Sequence, residues 1–138
     1  MGFSDEIIKA VNWNAPSVDM ETNFRTVTKM MVDNQSSALI VMKGEEVMGV
    51  VTDMDILESF GRNDDLNKTK VAEFMTTCEL LSNKEIKSPC AQLDSAASAR
   101  NALKVMNSAG VHHLLVSDVD KKKVGIVSIL DLLKLAIS

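Results

Sequence analysis

Two hydroxyl and carboxylate pairs, Thr52 with Asp55 and Ser128 with Asp131, stand at the same point of a stretch that occurs twice. Gly49-Val-Val-Thr52-Asp-Met-Asp55 returns as Gly125-Ile-Val-Ser128-Ile-Leu-Asp131, at an offset of 76 residues. Such a repeat predicts a duplicated structural unit with two equivalent sites. In each copy an aliphatic run precedes the hydroxyl, so the hydroxyl falls where a buried strand turns into a helix. The N–H groups of a helix's first turn have no partner within the helix, which makes that end a ready anion site. There the Thr52 or Ser128 hydroxyl can donate to a phosphate oxygen. An ionised aspartate only accepts, so Asp55 and Asp131 suit the two neighbouring hydroxyls of a ribose. Gly49 and Gly125 would let another backbone or a flat base approach the strand closely. The same Ser/Thr-x-x-Asp spacing also spells a capping box, which satisfies the helix's own amides with no ligand involved. Duplication preserves a cap as readily as a site, and the two roles are partly compatible.

The elements that must hold these groups follow from periodicity. Ser4, before Asp5 and Glu6, caps a short helix carrying Ile7, Ile8 and Val11, and a loop with Asn14 and Pro16 ends it. Residues 17–20 read as extended. Phe24, Val27 and Met31 share one face of a helix over 22–34, stopped by Asn34. Strands 38–42 and 47–51 form a hairpin around Gly44, and a helix starts at Thr52. Residues 61–68, rich in turn formers and charge, read as a linker, followed by a short helix over 70–75. The second half repeats the order: an extended piece at 90–93, a helix with Ala99, Ala102, Leu103 and Met106, strands 112–116 and 124–127, and a last helix over 129–137. Met31, Leu39, Ile40 and Val41 fall on Met106, Leu114, Leu115 and Val116 at an offset of 75, so the second hairpin holds one more residue. Residues 77–88 have no counterpart and read as a longer loop or an added strand. The expected fold class is α/β (α+β), two β-α-β-β-α halves: residues 1–60 with the N-terminal helix, the linker 61–68, and residues 69–138. Each half is too thin to cover its own apolar face, so the two must pack together.

Composition bounds the function. A chain of 138 residues can bury a core unaided, and 46% hydrophobic residues with 4% aromatics make that core aliphatic, its nine methionines being packing residues. Cys78 and Cys90 form no metal-type cluster and read as free thiols in a reducing compartment. The acidic start is unlike a basic signal-peptide start, and the longest clean apolar run, 38–42, is too short for a bilayer; the expectation is a soluble, cytoplasmic protein that binds no membrane. A net charge of −4 argues against nucleic acid, and Lys121 to Lys123 read as a solvated hairpin tip. His112 and His113 are adjacent on a strand and point to opposite faces, so they cannot chelate one metal together. Gly44 and Gly49 have P-loop spacing, but Val50 stands where the lysine should be. No nucleophile elbow occurs. The expectation is a protein that is not an enzyme and needs neither a metal nor a cofactor.

With these residues in view, the chain resembles a tandem pair of cystathionine-β-synthase (CBS) domains, a Bateman module, here as a stand-alone CBS-domain protein. The resemblance rests on the Gly-h-h-Ser/Thr-x-x-Asp stretches at Gly49 to Asp55 and Gly125 to Asp131, on Gly110-Val-His112-His113-Leu-Leu-Val116, and on the order and duplication of the elements. It implies two repeats packed about a pseudo-two-fold axis, with clefts between them for adenosine-containing ligands such as AMP, ADP, ATP or S-adenosylmethionine. By the family pattern Asp55 and Asp131 hold ribose and Thr52 and Ser128 hold phosphate. Backbone at Val18 to Met20, Ser37 to Leu39, Ala91 to Leu93 and His112 to Leu114 frames the base; Val18, Met20, Ser37, Ala38, Ala91, Leu93, His112 and His113 join the expected site. It further implies a regulatory, signalling role, a homodimer meeting through helices, and a regulated protein partner that the sequence does not name. A ligand-free scaffold for dimerisation or partner binding is the alternative. Where many members carry a basic residue before the motif aspartate, this chain has Met54 and Leu130, which favours a monophosphate or a less anionic adenosyl ligand. Ile129 in place of Asp53 makes the second copy more apolar, and which cleft binds is left open.

Overall fold

A computed structural model describes residues 6–77, 93–118 and 123–138. They form two compact units. One comprises residues 15–77, and the other joins residues 6–14 to the described residues from 93 onward.

In the first unit the strands are β1 (Ser17–Asp19), β2 (Ala38–Lys43), β3 (Glu46–Thr52) and β4 (Thr76–Thr77), and the helices are α1 (Phe24–Asp33) and α2 (Asp53–Gly61). The sheet order is β1-β2-β3-β4, with β1 parallel to β2 and the other pairs antiparallel. Helix α1 starts two residues later than the apolar spacing predicts. The Thr22 N–H turns back to Asp19 O at 3.0 Å, and Asn23 caps the helix by accepting from the Thr26 N–H at 2.9 Å. Phe24, Val27 and Met31 then face a core with Val18, Leu39, Val41, Val51, Val71 and Phe74. The hairpin closes through Gly44, whose φ of +63° belongs to the region only glycine enters freely. The expected helix at 70–75 is a single 3-10 turn, Val71–Glu73.

The second unit has β5 (Leu93–Asp94), α3 (Ala99–Ala109), β6 (His113–Asp118), β7 (Lys123–Ser128) and α4 (Ile129–Ile137). Its sheet runs β5-β6-β7, parallel then antiparallel. Ser98 caps α3 by accepting from the Asn101 N–H at 3.1 Å. Ala99, Ala102 and Met106 on α3 pack with Leu114, Val116, Val127 and Leu132. The expected extra hairpin residue is accounted for by pairing. The first hairpin spends one residue on a bulge opposite Val41 and Met42 and closes between Lys43 and Glu46, whereas in the second four positions separate the paired Asp118 and Lys123.

The packed units are cut elsewhere than the repeat boundaries expected at 60 and 69. The N-terminal stretch is a 3-10 turn, Ile7–Lys9, and it packs on the second unit. Its Ile7 N–H donates to Ala97 O at 2.8 Å, and Asn12 exchanges backbone hydrogen bonds of 2.8 and 3.1 Å with Ile126 on β7. Residues 66–77 stay with the first unit: Phe24 N–H donates to Thr69 O at 2.7 Å and Val71 N–H to Thr22 O at 2.8 Å. The physical reason is the same in both. The last strand of a β-α-β-β unit has an unpaired edge, and each edge is met by a segment outside the repeat, β4 on β3 and Asn12 on β7.

Candidate functional site

In each unit the second strand of the hairpin, β3 or β7, turns into the following helix, α2 or α4, at the predicted hydroxyl. In the first, Thr52 Oγ1 accepts from the Asp55 N–H at 3.3 Å while Asp55 Oδ2 accepts from the Thr52 N–H at 3.0 Å. In the second, Ser128 Oγ accepts from the Asp131 N–H at 3.2 Å and donates to Asp131 Oδ2 at 2.8 Å, and the Ser128 N–H lies 3.4 Å from the same oxygen. Both are therefore capping boxes, the alternative that the spacing alone had left open. Each box uses the Oδ2 oxygen.

The other expected residues divide by position. Ala38 pairs with Thr52, and His113 pairs with Ser128, so the starts of β2 and β6 lie beside the two caps. Ser37 O accepts from the Asp53 N–H, and His112 O accepts from the Ile129 N–H, each at 2.9 Å. These contacts make Ser37 and His112 structural equivalents. His112, which precedes β6 and lies outside the strand expected to include it, is exposed, whereas His113 at the start of β6 is buried. Val18 and Leu93 are not brought to the caps. They pair with Val41 and Val116, three residues along β2 and β6, roughly 10 Å away. Val18 is also buried in the core, and half-buried Met20 packs against that same core. Ala91 lies outside the described residues. A hollow of about 240 Å³ lies next to the second cap, lined by Leu103, Met106, Asn107, Gly110, Val111, His112 and Ile129. Asn107 and His112 supply polar groups at its otherwise apolar wall.

Three residues that the motif did not point to complete the picture. Thr76 on β4 donates its hydroxyl to the Asp55 carboxylate, 3.1 Å from Oδ1 and 3.0 Å from Oδ2. Asp53 Oδ1 accepts from the Met54 N–H at 2.9 Å. Asn12, which meets Ile126 as Thr76 meets Val50, uses its Oδ1 to accept from its own neighbour, the Asn14 N–H, at 3.0 Å. Burial raises the Asp55 carboxyl above the ordinary aspartate range, against hydrogen bonds from Thr52 and Thr76 that pull it down; Glu58 nearby adds to the rise. The first turn of α2 holds two acids, Asp53 and Asp55, whereas that of α4 holds Asp131 alone. Among the described residues no group of three or more His, Cys, Asp or Glu side chains could hold a metal ion, and no helix is long and apolar enough to cross a membrane.

Two β-α-β-β-α units, each ending in a glycine-bearing strand that runs into a Ser/Thr-capped helix, define a pair of CBS domains. The CBS domain family matches residues 6–62 and 83–138, and the chain belongs to that family. Over 132 residues the chain is 28% identical to the uncharacterized protein MJ1404 of Methanocaldococcus jannaschii; the match takes in 95% of the chain and 29% of that relative's length. Among solved structures, that of the CBS domain NE2398 is 26% identical with a TM-score of 0.73, covering 91% of this chain and 89% of the other. That of CBSX2 in complex with AMP is 20% identical, with a TM-score of 0.70 and coverage of 96% of both chains; it shares the fold. CBS-domain proteins are generally regulatory modules rather than enzymes.

Proposed function

We propose that this CBS pair is a regulatory module that senses an adenosine-containing ligand, AMP, ADP, ATP or S-adenosylmethionine, in a cleft between its repeats, and that it acts in the cytoplasm without catalysis of its own. The observation that carries the reading is the twin junction. Each places a hydroxyl, a carboxylate and the first-turn amides of a helix together at a strand end, beside backbone at Ser37 or His112. The AMP bound by CBSX2 supports an adenosyl ligand for the fold. Met54 and Leu130, which bring no positive charge to either junction, favour a monophosphate or S-adenosylmethionine over a triphosphate.

The expected result is a thermal-shift response to one of these four compounds. Ligand at 100 times its Kd adds about 2.7 kcal/mol of stability, which moves the midpoint of a chain this size by roughly 5–10 °C. A flat response to all four removes the reading.

The alternative, a ligand-free scaffold, draws support from the caps, which are satisfied by the chain itself. Under either reading we propose a homodimer formed through helices. Met54, Leu57 and Phe60 on α2, and Leu130, Leu133 and Ile137 on α4, are each at least 43% exposed and repeat at helical spacing, a large apolar area for a lone chain to leave in water. Light scattering at micromolar concentration should return the dimer mass, and a change of Leu57 and Leu133 together to glutamate should return the monomer. A monomeric parent protein excludes the dimer.

A further inference from the structure

We propose that Thr76 is an internal competitor for the sugar position at Asp55, so that the two repeats are unequal and the first is held closed by the chain itself. The inference rests on the adenosyl reading above and adds to it which repeat takes the ligand and what shuts the other.

At the first junction the carboxylate and the first-turn amides that a ribose phosphate would use are already engaged. Asp55 Oδ2 holds the Thr52 N–H, and both carboxylate oxygens hold the Thr76 hydroxyl, which stands where a sugar hydroxyl would donate. Of the first-turn amides, Asp53 N–H goes to Ser37 O, Met54 N–H to the Asp53 carboxylate and Asp55 N–H to Thr52 Oγ1. The Asp53 carboxylate thus stands in for a phosphate, and its charge repels a real one.

At the second junction both substitutes are gone. Asn12 occupies the place of Thr76 but turns its side chain to the Asn14 N–H, so among the described residues Asp131 Oδ1 accepts no hydrogen bond. Ile129 occupies the place of Asp53, so the Leu130 N–H meets no acceptor among the described residues. A ligand arriving at Asp131 finds Oδ1 open among the described residues and has only the Ser128 hydroxyl to draw away from Oδ2, whereas one arriving at Asp55 must break the Thr76 contact and bring a phosphate up to Asp53.

Calorimetric titration with AMP tests this. The parent protein should bind one AMP per chain. Thr76→Val, which keeps the shape of β4 and removes the hydroxyl, should raise first-repeat affinity about tenfold or more, the usual worth of a hydrogen bond to a charged group, and bring the count to two. Thr76→Ser should behave as the parent, and Thr76→Val combined with Asp131→Asn should keep one site. Thr76→Ala removes the same hydroxyl and replaces the valine variant if circular dichroism shows that one to be disturbed. Two equal sites in the parent protein, or a count still at one after the hydroxyl is removed, overturns the inference while leaving the adenosyl reading in place. If neither the parent nor Thr76→Val binds AMP, ADP, ATP or S-adenosylmethionine, the adenosyl reading falls and takes this one with it.

Discussion

Replacing Phe24 by alanine should cost about 3–5 kcal/mol, the range for emptying a fully enclosed phenylalanine site. Phe24 has no exposed surface. Its ring centroid lies 4.7 Å from that of Phe60 and 5.2 Å from that of Phe74, both tilted at 58°, an arrangement that adds to the simple burial of area. Phe24 thereby ties three elements together: it opens α1, Phe60 comes from the last turn of α2, and Phe74 follows the 3-10 turn. Its backbone N–H is also fixed, to Thr69 O at 2.7 Å. Truncation leaves a cavity that three separately anchored pieces cannot collapse to fill. Against a total stability of about 5–15 kcal/mol for a domain, that is a large share. The urea midpoint should fall by roughly 2 M, and Phe24→Leu, which keeps most of the volume, should lose clearly less. A loss below about 1 kcal/mol for alanine would show that the aromatic trio does not hold the unit.

The fold was legible wherever burial imposes a period. The stripe Phe24, Val27 and Met31, its echo at Ala99, Ala102 and Met106, and the aliphatic strands β2, β3, β6 and β7 all became the elements their spacing predicts, because the faces they bury are core faces. The last helix matches its expected span to the residue, since Ser128 and Asp131 mark its start chemically. Less legible was which segment completes which unit. Residues 6–14 and 66–77 bury Ile7, Val11, Val71 and Phe74, but their place is fixed by backbone hydrogen bonds such as Asn12 with Ile126 and Phe24 with Thr69, and backbone hydrogen bonding leaves almost no trace in side-chain pattern. The short helix expected at 70–75 shrank to one 3-10 turn for a related reason: Val71 and Ala72 give their N–H groups to Thr22 O and Met20 O.

The candidate site divided along the same line. Thr52, Asp55, Ser128 and Asp131 could be read from spacing because a strand-to-helix junction is a local event. Ser37 and His112 came out beside them because strand pairing fixes their register. Val18 and Leu93 did not, since a parallel neighbour staggers along the sheet and carries its residues away from the cap. Thr76 was out of reach for a different reason. It stands 21 positions from Asp55, and its hydroxyl finds the carboxylate only because β4 pairs across Gly49 and Val50. The sequence did hold one sign of such a neighbour, the glycine repeated at positions 49 and 125, which predicts a close backbone approach without saying by what.

That approach yields the second large effect. A β-carbon added at Gly49 would lie 2.3 Å from Thr76 O and 3.2 Å from both Thr76 C and Thr77 Cα, all backbone atoms of a strand held in the sheet. No rotamer change can relieve such a clash, so β4 must move, and Gly49→Ala should cost about 2–3 kcal/mol, at the upper end for overpacking, or roughly 10 °C in Tm. At Gly125 the same carbon would meet Asn12 O and Val11 Cγ1 at 2.6 Å and Trp13 Cε3 at 3.0 Å. Part of that crowding is side chain, which can turn aside, so Gly125→Ala should cost less than Gly49→Ala. Gly61→Ala, at the end of α2 with nothing within 4 Å, should be neutral or slightly stabilising by helix propensity. Equal midpoints for all three variants would mean that the strands do not press on the two glycines. The order also separates crowding from chemistry: Gly49→Ala should displace Thr76 from Asp55 at a heavy cost in stability, whereas Thr76→Val frees the same carboxylate and leaves β4 in place. If the two changes open the first repeat to AMP alike while differing in midpoint, the block at that site is the Thr76 hydroxyl and not the stiffness of the sheet around it.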